Sequence, residues 1–131
     1  MDSKNFYREQ ALKITSEVAP KSEILERIID SKRFIDRRFD SDLDLDAISG
    51  RSFLSKFHFL RIFKSVYGMT PHRYLTFVRI DRAKRMLKEG LSVSEVSARI
   101  GFESTSTFSG TFKKYAGLSP SSFRSKYEKQ F

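Results

Sequence analysis

Residues 55–66 have the pattern of a helix with one face suited to contacting nucleic-acid bases. Four of its residues follow one another at i, i+3, i+4 and i+7, which places them on one face: Phe57, Leu60, Arg61 and Lys64. An arginine can donate two hydrogen bonds to guanine, and apolar groups can contact thymine methyl groups. The pattern predicts base contacts by Phe57, Leu60 and Arg61. The alternative is that Phe57 and Leu60 pack on a neighbouring helix.

A second segment, residues 104–115, repeats this arrangement with smaller side chains. Its corresponding face carries hydroxyl groups around a glycine: Thr105, Ser106, Ser109 and Gly110. Hydroxyl groups can bond to bases or phosphates, but they make no strong bidentate pair with a base. We predict base contacts by Thr105, Ser106 and Ser109. A glycine inside a helix costs about 1 kcal/mol relative to alanine, and Gly110 has two explanations, close approach of its backbone to DNA or neutral drift.

Hydroxyl and ammonium groups near the ends of both segments predict contacts with phosphate oxygens. The candidates are Ser55, Lys56, Lys64, Ser104, Lys113 and Lys114. Lys64 and Lys113 hold equivalent places in the two segments, next to the predicted base-contacting faces. A lysine neutralises phosphate charge whatever the base sequence. Simple solvation is the alternative for these lysines.

The two segments belong to a longer internal repeat. Residues 63–71 read FKSVYGMTP and residues 112–120 read FKKYAGLSP, at an offset of 49 positions. Each copy predicts a helix that ends at glycine and a new helix that starts at proline. Upstream the offset is 48, because Ile48-Ser49 matches Val96-Ser97. The repeated unit is a short helix, a tight turn and a longer helix, which is a helix-turn-helix.

The elements that must hold these faces are predicted from caps and periodicity. Asp44, Ser55, Ser92 and Ser104 are predicted N-caps. The longer helices have predicted inner stripes of Phe59, Ile62, Phe63 and Val66 and of Phe108, Thr111, Phe112 and Tyr115. No segment alternates like a strand for long. The sequence therefore predicts an all-α fold of about seven helices.

The predicted organisation is two helix-turn-helix subdomains joined by a long linking helix. The predicted DNA-binding domain spans residues 22–127, between an N-terminal arm or linker at 1–21 and a C-terminal tail at 128–131. Within it, the first helix-turn-helix is predicted at about 44–66, the linking helix at about 71–89 and the second helix-turn-helix at about 92–115. The linking helix is expected to bury Ile80, Ala83 and Leu87 and to end at Gly90.

Charge is distributed unevenly along the chain. Residues 1–50 hold 9 Lys or Arg and 11 Asp or Glu, a net charge of −2, whereas residues 51–131 hold 16 and 5, a net charge of +11. The repeated segments lie in the basic part, which favours a polyanionic partner and above all nucleic acid. A solvated basic surface that only maintains solubility is the alternative.

Composition argues against several classes of protein. The chain has no Cys, which excludes disulfides, thiolate metal sites and cysteine nucleophiles. It contains no apolar run of the ~18 residues that a membrane helix needs, and its first 20 residues lack the apolar stretch of a signal peptide. His58 and His72 have no matching cluster of carboxylates. We therefore predict a cytoplasmic protein, not an enzyme, with no catalytic residue, cofactor or metal.

The repeat resembles the DNA-binding domain of the AraC/XylS family of bacterial transcription regulators. The resemblance covers about residues 22–127 and is densest in EVSARIGFESTSTFSGTFKKYAGLSPSSFR. The residues that match the family pattern there are Val96, Gly101, Phe102, Phe108, Phe112, Lys113, Gly117, Pro120 and Arg124. The first repeat matches through Ser55, His58, Arg61, Phe63, Lys64 and Gly68, and the linking helix through Tyr74, Leu75, Arg79, Ala83 and Leu87.

The resemblance implies that helices 55–66 and 104–115 are recognition helices that enter successive major grooves of double-stranded DNA. It also implies a regulator, usually an activator that contacts RNA polymerase. The chain is expected to bind as a monomer to an asymmetric site and to associate with the bacterial nucleoid when bound. No small-molecule effector site is evident from the sequence. The family commonly has arginine at the position of Gly110, so we predict that the first recognition helix discriminates more between bases.

Two other functions stay open from the sequence. The chain could be the DNA-binding piece of a larger, ligand-responsive regulator, since many family members carry a separate ligand-binding or dimerisation domain. It could also be a basic module that binds RNA, DNA without sequence preference or an acidic protein. The last function would explain the charge, but it would not explain two matched outer faces.

Overall fold

The chain is helical throughout the part that the structure describes. The structure is a computed structural model, and it describes residues 21–128. Its helices are α1 (Lys21–Arg38), α2 (Leu45–Gly50), α3 (Lys56–Tyr67), α4 (Pro71–Lys88), α5 (Val93–Arg99), α6 (Thr105–Ala116) and α7 (Pro120–Glu128). These seven helices, with no strand among the described residues, confirm the all-α prediction. None of them is long and apolar enough to cross a membrane.

Two compact units divide the chain, and each contains one helix-turn-helix. The first unit holds α1 as far as Phe34 and the residues Asp44–Pro71, which include α2 and α3. The second unit holds Ile35–Leu43 and the chain from His72 onward, which includes α5 and α6. The predicted arm and tail lie outside the described residues, except that Lys21 already belongs to α1 and Glu128 to α7.

Local hydrogen bonds begin and end the helices of the first unit as predicted. The Asp44 carboxylate accepts a hydrogen bond from the backbone N–H of Ala47 at 2.8 Å, and the Ser55 hydroxyl accepts one from His58 at 3.3 Å. Both bonds satisfy amide groups that have no partner inside the helix. At the other end of α3, Gly68 has a left-handed φ of 76° and its N–H bonds to the Lys64 carbonyl. The caps therefore fix where α3 starts and stops.

The apolar core of the second unit is built from four helices. Its buried members are Ile80, Ala83, Leu87, Val96, Ile100, Phe108, Phe112 and Phe123. Aromatic rings run through it, with centroids of Phe108 and Phe112 at 5.8 Å and of Phe112 and Phe123 at 5.3 Å, both edge to face. The predicted buried face of the linking helix is thereby confirmed. Ser92 and Ser104 cap α5 and α6, and Gly117 ends α6 with a φ of 80°.

A buried arginine fastens the segment after α1 to the second unit. Arg79 of α4 donates hydrogen bonds to the carbonyl oxygens of Phe39 at 2.7 Å and Ser41 at 2.9 Å. Burial lowers the pKa of Arg79, because a charged group loses hydration there, while Asp42 and Asp40 act in the opposite direction. The sequence did not predict this contact, because a single arginine on a helix carries no sign of a partner about 40 positions away.

The predicted inner stripes were wrong at their last positions. Val66 is 42% exposed and Tyr115 is 40% exposed, although Phe59, Phe63, Phe108 and Phe112 are fully buried. The short helices α2 and α5 have 6 and 7 residues against 12 in α3 and α6. At about 1.5 Å per residue, a short helix is therefore too short to cover the last turn of its longer partner.

Candidate nucleic-acid interface

The outer face of α3 presents an aromatic ring and two cationic groups to solvent. Phe57 is 76% exposed, and Arg61 and Lys64 are exposed on the same side of the helix. The alternative that Phe57 packs on a neighbouring helix does not hold at this exposure. Leu60 is half-buried, so its side chain is shared between the surface and the interior. The four predicted residues therefore form a continuous face on which the aromatic ring stands out most.

The start of α3 carries an ion pair that the sequence did not predict. Lys56, a predicted phosphate contact, has its Nζ atom 2.5 Å from Oδ1 of Asp46 in α2, and both side chains are solvent-exposed. A solvent-exposed ion pair contributes only about 0–1 kcal/mol. A phosphate could therefore replace Asp46 as the partner of Lys56 at little cost. The Ser55 hydroxyl, also predicted to contact phosphate, is already the N-cap of this helix.

The outer face of α6 is lined with small groups. Ser106 and Gly110 are exposed, as is Lys113, whereas Ser109 is half-buried like its counterpart Leu60 in α3. The Thr105 hydroxyl accepts a hydrogen bond from the Ser97 hydroxyl of α5 at 3.0 Å, which leaves its own proton free to donate. The predicted residues thus share one helix, but they differ in how freely they can reach a partner.

The N-terminus of α6 is capped by Ser104, whose hydroxyl also bonds to the hydroxyl of Thr107. Ser104 accepts a hydrogen bond from the Thr107 N–H at 3.1 Å, and its hydroxyl donates to Oγ1 of Thr107 at 2.9 Å. A contact between Ser104 and phosphate would have to compete with this second bond. Lys113 and Lys114, the other predicted phosphate contacts of the segment, are both exposed in the last turns of the helix.

The glycine at position 110 is not required by the packing of the second unit. A Cβ atom built on Gly110 meets nothing within 4 Å, and the backbone there is ordinary α-helix. An alanine would therefore fit and would stabilise the helix by about 1 kcal/mol. The reason for glycine has to lie outside the described packing.

The sequence does not predict a groove that lies on the flank of α6. It has a volume of about 1250 Å³ and lies entirely within the second unit. Its walls come from the residues after α1, the first turns of α4, the turn before α6 and the side of α6, and the lining residues include His72, Arg73, Arg79, Glu103, Thr107, Thr111 and Lys114. The spacing of Thr107, Thr111 and Lys114 at i, i+4 and i+7 is the signal that could have indicated a second polar face on α6.

The described residues offer no site for metal-dependent chemistry. Among them, no group of three or more His, Asp or Glu side chains could hold a metal ion. His58 lies in α3 with a buried Nε2 atom that has no hydrogen-bond partner in the described part of the chain.

Residues 48–126 match the family model described as "Helix-turn-helix domain". Among curated proteins, the chain is 33% identical over 92 residues to the probable transcriptional regulator LumQ of Photobacterium leiognathi. It is also 33% identical over 92 residues to the HTH-type transcriptional activator AarP of Providencia stuartii. Each alignment covers 70% of this chain. The chain spans 37% of the length of LumQ and 68% of AarP.

Among solved structures, the chain resembles the DNA-binding domain of AdpA, a global transcriptional factor crystallised in complex with a target DNA. The two structures superpose with a TM-score of 0.76 at 28% sequence identity. The superposition covers 79% of this chain and 95% of the AdpA domain. The fold of the present chain is therefore similar to that of a domain that was crystallised with DNA.

Proposed function

We propose that this chain, which belongs to the AraC-type helix-turn-helix family of transcription regulators, binds double-stranded DNA with sequence preference through α3 and α6. In this proposal each recognition helix enters a major groove, and the two grooves are successive, about 34 Å apart. The linking helix α4, which lies between α3 and α6 in the chain, has 18 residues and a length of about 27 Å at 1.5 Å per residue. The protein would act on bacterial chromosomal DNA in the cytoplasm.

The observation that carries the proposal is the exposed aromatic and cationic face of α3. Phe57 is 76% exposed, beside exposed Arg61 and Lys64. A large apolar ring surrounded by cationic groups on a soluble chain is best explained by a partner that supplies both apolar and anionic surface. The major groove of DNA provides thymine methyl groups and guanine acceptors between two rows of phosphates.

Selection of bound duplexes from a random pool tests the proposal. We expect two short half-motifs about 10 base pairs apart, one for each recognition helix. A single short motif would mean that one helix alone selects bases. Binding that enriches no sequence and weakens steeply with salt would instead support the basic module without sequence preference.

The effect on transcription and the assembly on DNA are also part of the proposal. We expect activation, as the name of AarP states for that protein, through contact with RNA polymerase. One chain should occupy one asymmetric site, because each chain has two recognition helices. Transcription in vitro from a promoter that carries the selected site tests the first expectation. Analytical ultracentrifugation of the protein with a duplex tests the second, and two chains per duplex would contradict it.

A further inference from the structure

The flank of α6 has a polar face that the proposed base contacts do not use. At about 100° per residue, Thr107, Thr111 and Lys114 lie roughly 100° around the helix from the face that carries Ser106 and Lys113. They are equally far from the core side, where Phe108 is fully buried. All three line the groove of the second unit. This helix therefore offers a second surface to a ligand beside the first.

The opposite wall of the groove is formed by the first turns of α4. His72 and Arg73 lie in the first turn of that helix, where the helix dipole is positive, and Thr76 follows one turn later. Arg79 forms the buried part of the wall, and no carboxylate of the described residues lies within ion-pair distance of its guanidinium. Its guanidinium donates to two backbone carbonyl oxygens and lies over the Phe102 ring, while Asp42 and Asp40 attract its charge. The α4 wall therefore carries two guanidinium groups, those of Arg73 and Arg79, beside the His72 imidazole and the Thr76 hydroxyl.

The size and polarity of the groove indicate the kind of ligand. Pockets for small molecules usually measure about 300–1,000 Å³ and are lined mainly by apolar side chains. This groove measures about 1250 Å³ and is lined mainly by charged and hydroxyl side chains. Hydroxyl, ammonium and guanidinium groups in a row are the donors that contact sugar and phosphate along a nucleic-acid strand. An extended anionic backbone fits these walls better than a compact metabolite does.

We infer that one strand of bound DNA lays its phosphodiester backbone in this groove, so that Lys114, Thr107 and Thr111 hold phosphates on one side and the first turn of α4 holds them on the other. The inference rests on the proposed function. It makes α4 a direct DNA contact as well as the connection between the two helix-turn-helix pairs. It also gives Lys114 a place in a specific groove, separate from the base-contacting face of α6.

The groove contains acidic as well as cationic side chains, so substitutions of opposite charge can be compared. Asp42 and Glu103 line it together with the cationic groups. A phosphate in the groove would be repelled by Glu103 and attracted by Lys114, so removing one charge or the other should change the affinity for DNA in opposite directions. We expect Lys114→Gln to weaken binding of the selected duplex about eightfold at 0.1 M salt, because one released counterion changes log K by ~0.9 per decade of salt. Glu103→Gln should strengthen binding, with all sequences affected alike.

Matched controls lie in the same unit but away from the groove. Lys126→Gln removes an exposed lysine of α7, and Glu95→Gln removes an exposed glutamate of α5. Both controls should leave the affinity within about twofold of wild type, since neither residue lines the groove and salt weakens the effect of exposed charges that make no direct contact. Lys114→Arg, which keeps the charge, should bind nearly as well as wild type.

The decisive experiment combines Lys114→Gln with duplexes in which single phosphates are replaced by neutral methylphosphonates. In wild type, one or two replacements beside the half-motif of α6 should weaken binding, and those same replacements should have almost no further effect in Lys114→Gln. If every methylphosphonate replacement weakened binding by the same factor in Lys114→Gln as in wild type, the inference would be overturned. A loss of affinity in Lys126→Gln equal to that in Lys114→Gln would also overturn it.

Failure of the inference can be distinguished from failure of the proposed function. A wild-type chain that selects no duplex overturns the proposed function. A wild-type chain that binds its selected duplex, with Glu103→Gln and Lys114→Gln both neutral, overturns the groove alone. A small phosphate compound could occupy the groove in place of the DNA backbone, and inorganic phosphate is the probe for it. Two results together would overturn the backbone assignment. Inorganic phosphate would displace DNA from wild type but not from Lys114→Gln, and no methylphosphonate replacement would depend on Lys114.

Discussion

At the turn that leads into each recognition helix, the first unit has Phe53 and the second has Gly101. The two positions correspond at the upstream offset of 48 residues, and both have a left-handed backbone, with φ of 58° and 88°. The chain therefore needs the same backbone bend in both turns, although it fills the position with very different residues. The surroundings explain the difference. A Cβ atom on Gly101 would lie 2.7 Å from the Phe39 carbonyl oxygen, whereas the Phe53 side chain is 82% exposed.

The solvent-facing sides of the two recognition helices also differ. In the first unit, α3 presents Phe57 and Arg61, which are large and exposed. In the second unit, α6 presents hydroxyl groups and a glycine, and it has a polar groove along its flank. Two similar helix-turn-helix units thus present different surfaces. We propose that the first unit selects bases and that the second makes close contact with the DNA backbone.

The largest effect should come from closing the space at Gly101. We expect Gly101→Ala to lower the free energy of unfolding by about 2–4 kcal/mol, because the new methyl group would strain a left-handed backbone and overlap the Phe39 and Asp40 backbone. Denaturant unfolding measures this loss. Gly90→Ala is the control, since Gly90 has a φ of 97° but its Cβ would meet nothing within 4 Å. The control should lose only about 1–2 kcal/mol. Equal losses would mean that the contact with the segment after α1 is unimportant.

Many of the features that begin and end the helices of both units could be predicted from the sequence, because they depend on local interactions. The N-caps Ser55 and Ser104 and the helix-ending glycines Gly68 and Gly117 were predicted and are confirmed by their hydrogen bonds and φ angles. A cap joins residues three positions apart, so its signal lies within a few letters of sequence. The fold class followed from the same local signals and from the repeat.

The features that could not be predicted depend on residues far apart in the chain. Arg79 bonds to Phe39 across 40 positions, and Lys56 pairs with Asp46 across a turn. Periodicity shows which face of a helix is apolar, but it does not show how far the partner helix extends. Periodicity alone therefore predicts Val66 in the core, whereas the side chain is exposed. The base and phosphate contacts themselves remain predictions, because they depend on a partner as well as on the chain.

The difference between the outer faces predicts where base selection resides. Arg61→Ala should reduce the discrimination between the selected duplex and duplexes with one changed base pair by about 1–3 kcal/mol at the position it contacts. Alanine at Thr105, Ser106 and Ser109 together should reduce it less, because single hydroxyl bonds select bases weakly. Competition binding against a panel of single-base-pair variants measures both. A larger loss in the triple variant would reverse the assignment of roles to the two units.

The turn of the first unit can be tested by comparing two substitutions at one position. Phe53→Gly and Phe53→Ala both remove the ring, which lies 5.7 Å from the Arg27 guanidinium. They differ in the backbone, because only glycine adopts a left-handed φ without strain. The glycine variant should therefore be more stable than the alanine variant by about 1 kcal/mol in denaturant unfolding. Equal stabilities would show that the bend at Phe53 is not strained in solution.

The smallest expected effect concerns the ion pair that only the first unit has at the start of its recognition helix. In the second unit, positions 94 and 105, which correspond to Asp46 and Lys56, are Ser and Thr, so no such pair can form. If Lys56 contacts a phosphate, Asp46 competes with the DNA for it. Asp46→Asn should then strengthen binding by about 0.2–1 kcal/mol, the range of an exposed pair, and steepen the salt dependence by roughly one counterion.

The matched control for this change is Asp30→Asn, which removes the partner of Arg51 in the same unit, with the two side chains 3.5 Å apart. Neither Asp30 nor Arg51 is a predicted DNA contact, so the affinity should change less than in Asp46→Asn, measured at the same salt concentrations. A gain of equal size in both variants would point to the overall charge of the first unit. A gain confined to Asp46→Asn would mean that the first unit restrains its own phosphate contact, whereas the second unit leaves Lys113 and Lys114 exposed to DNA.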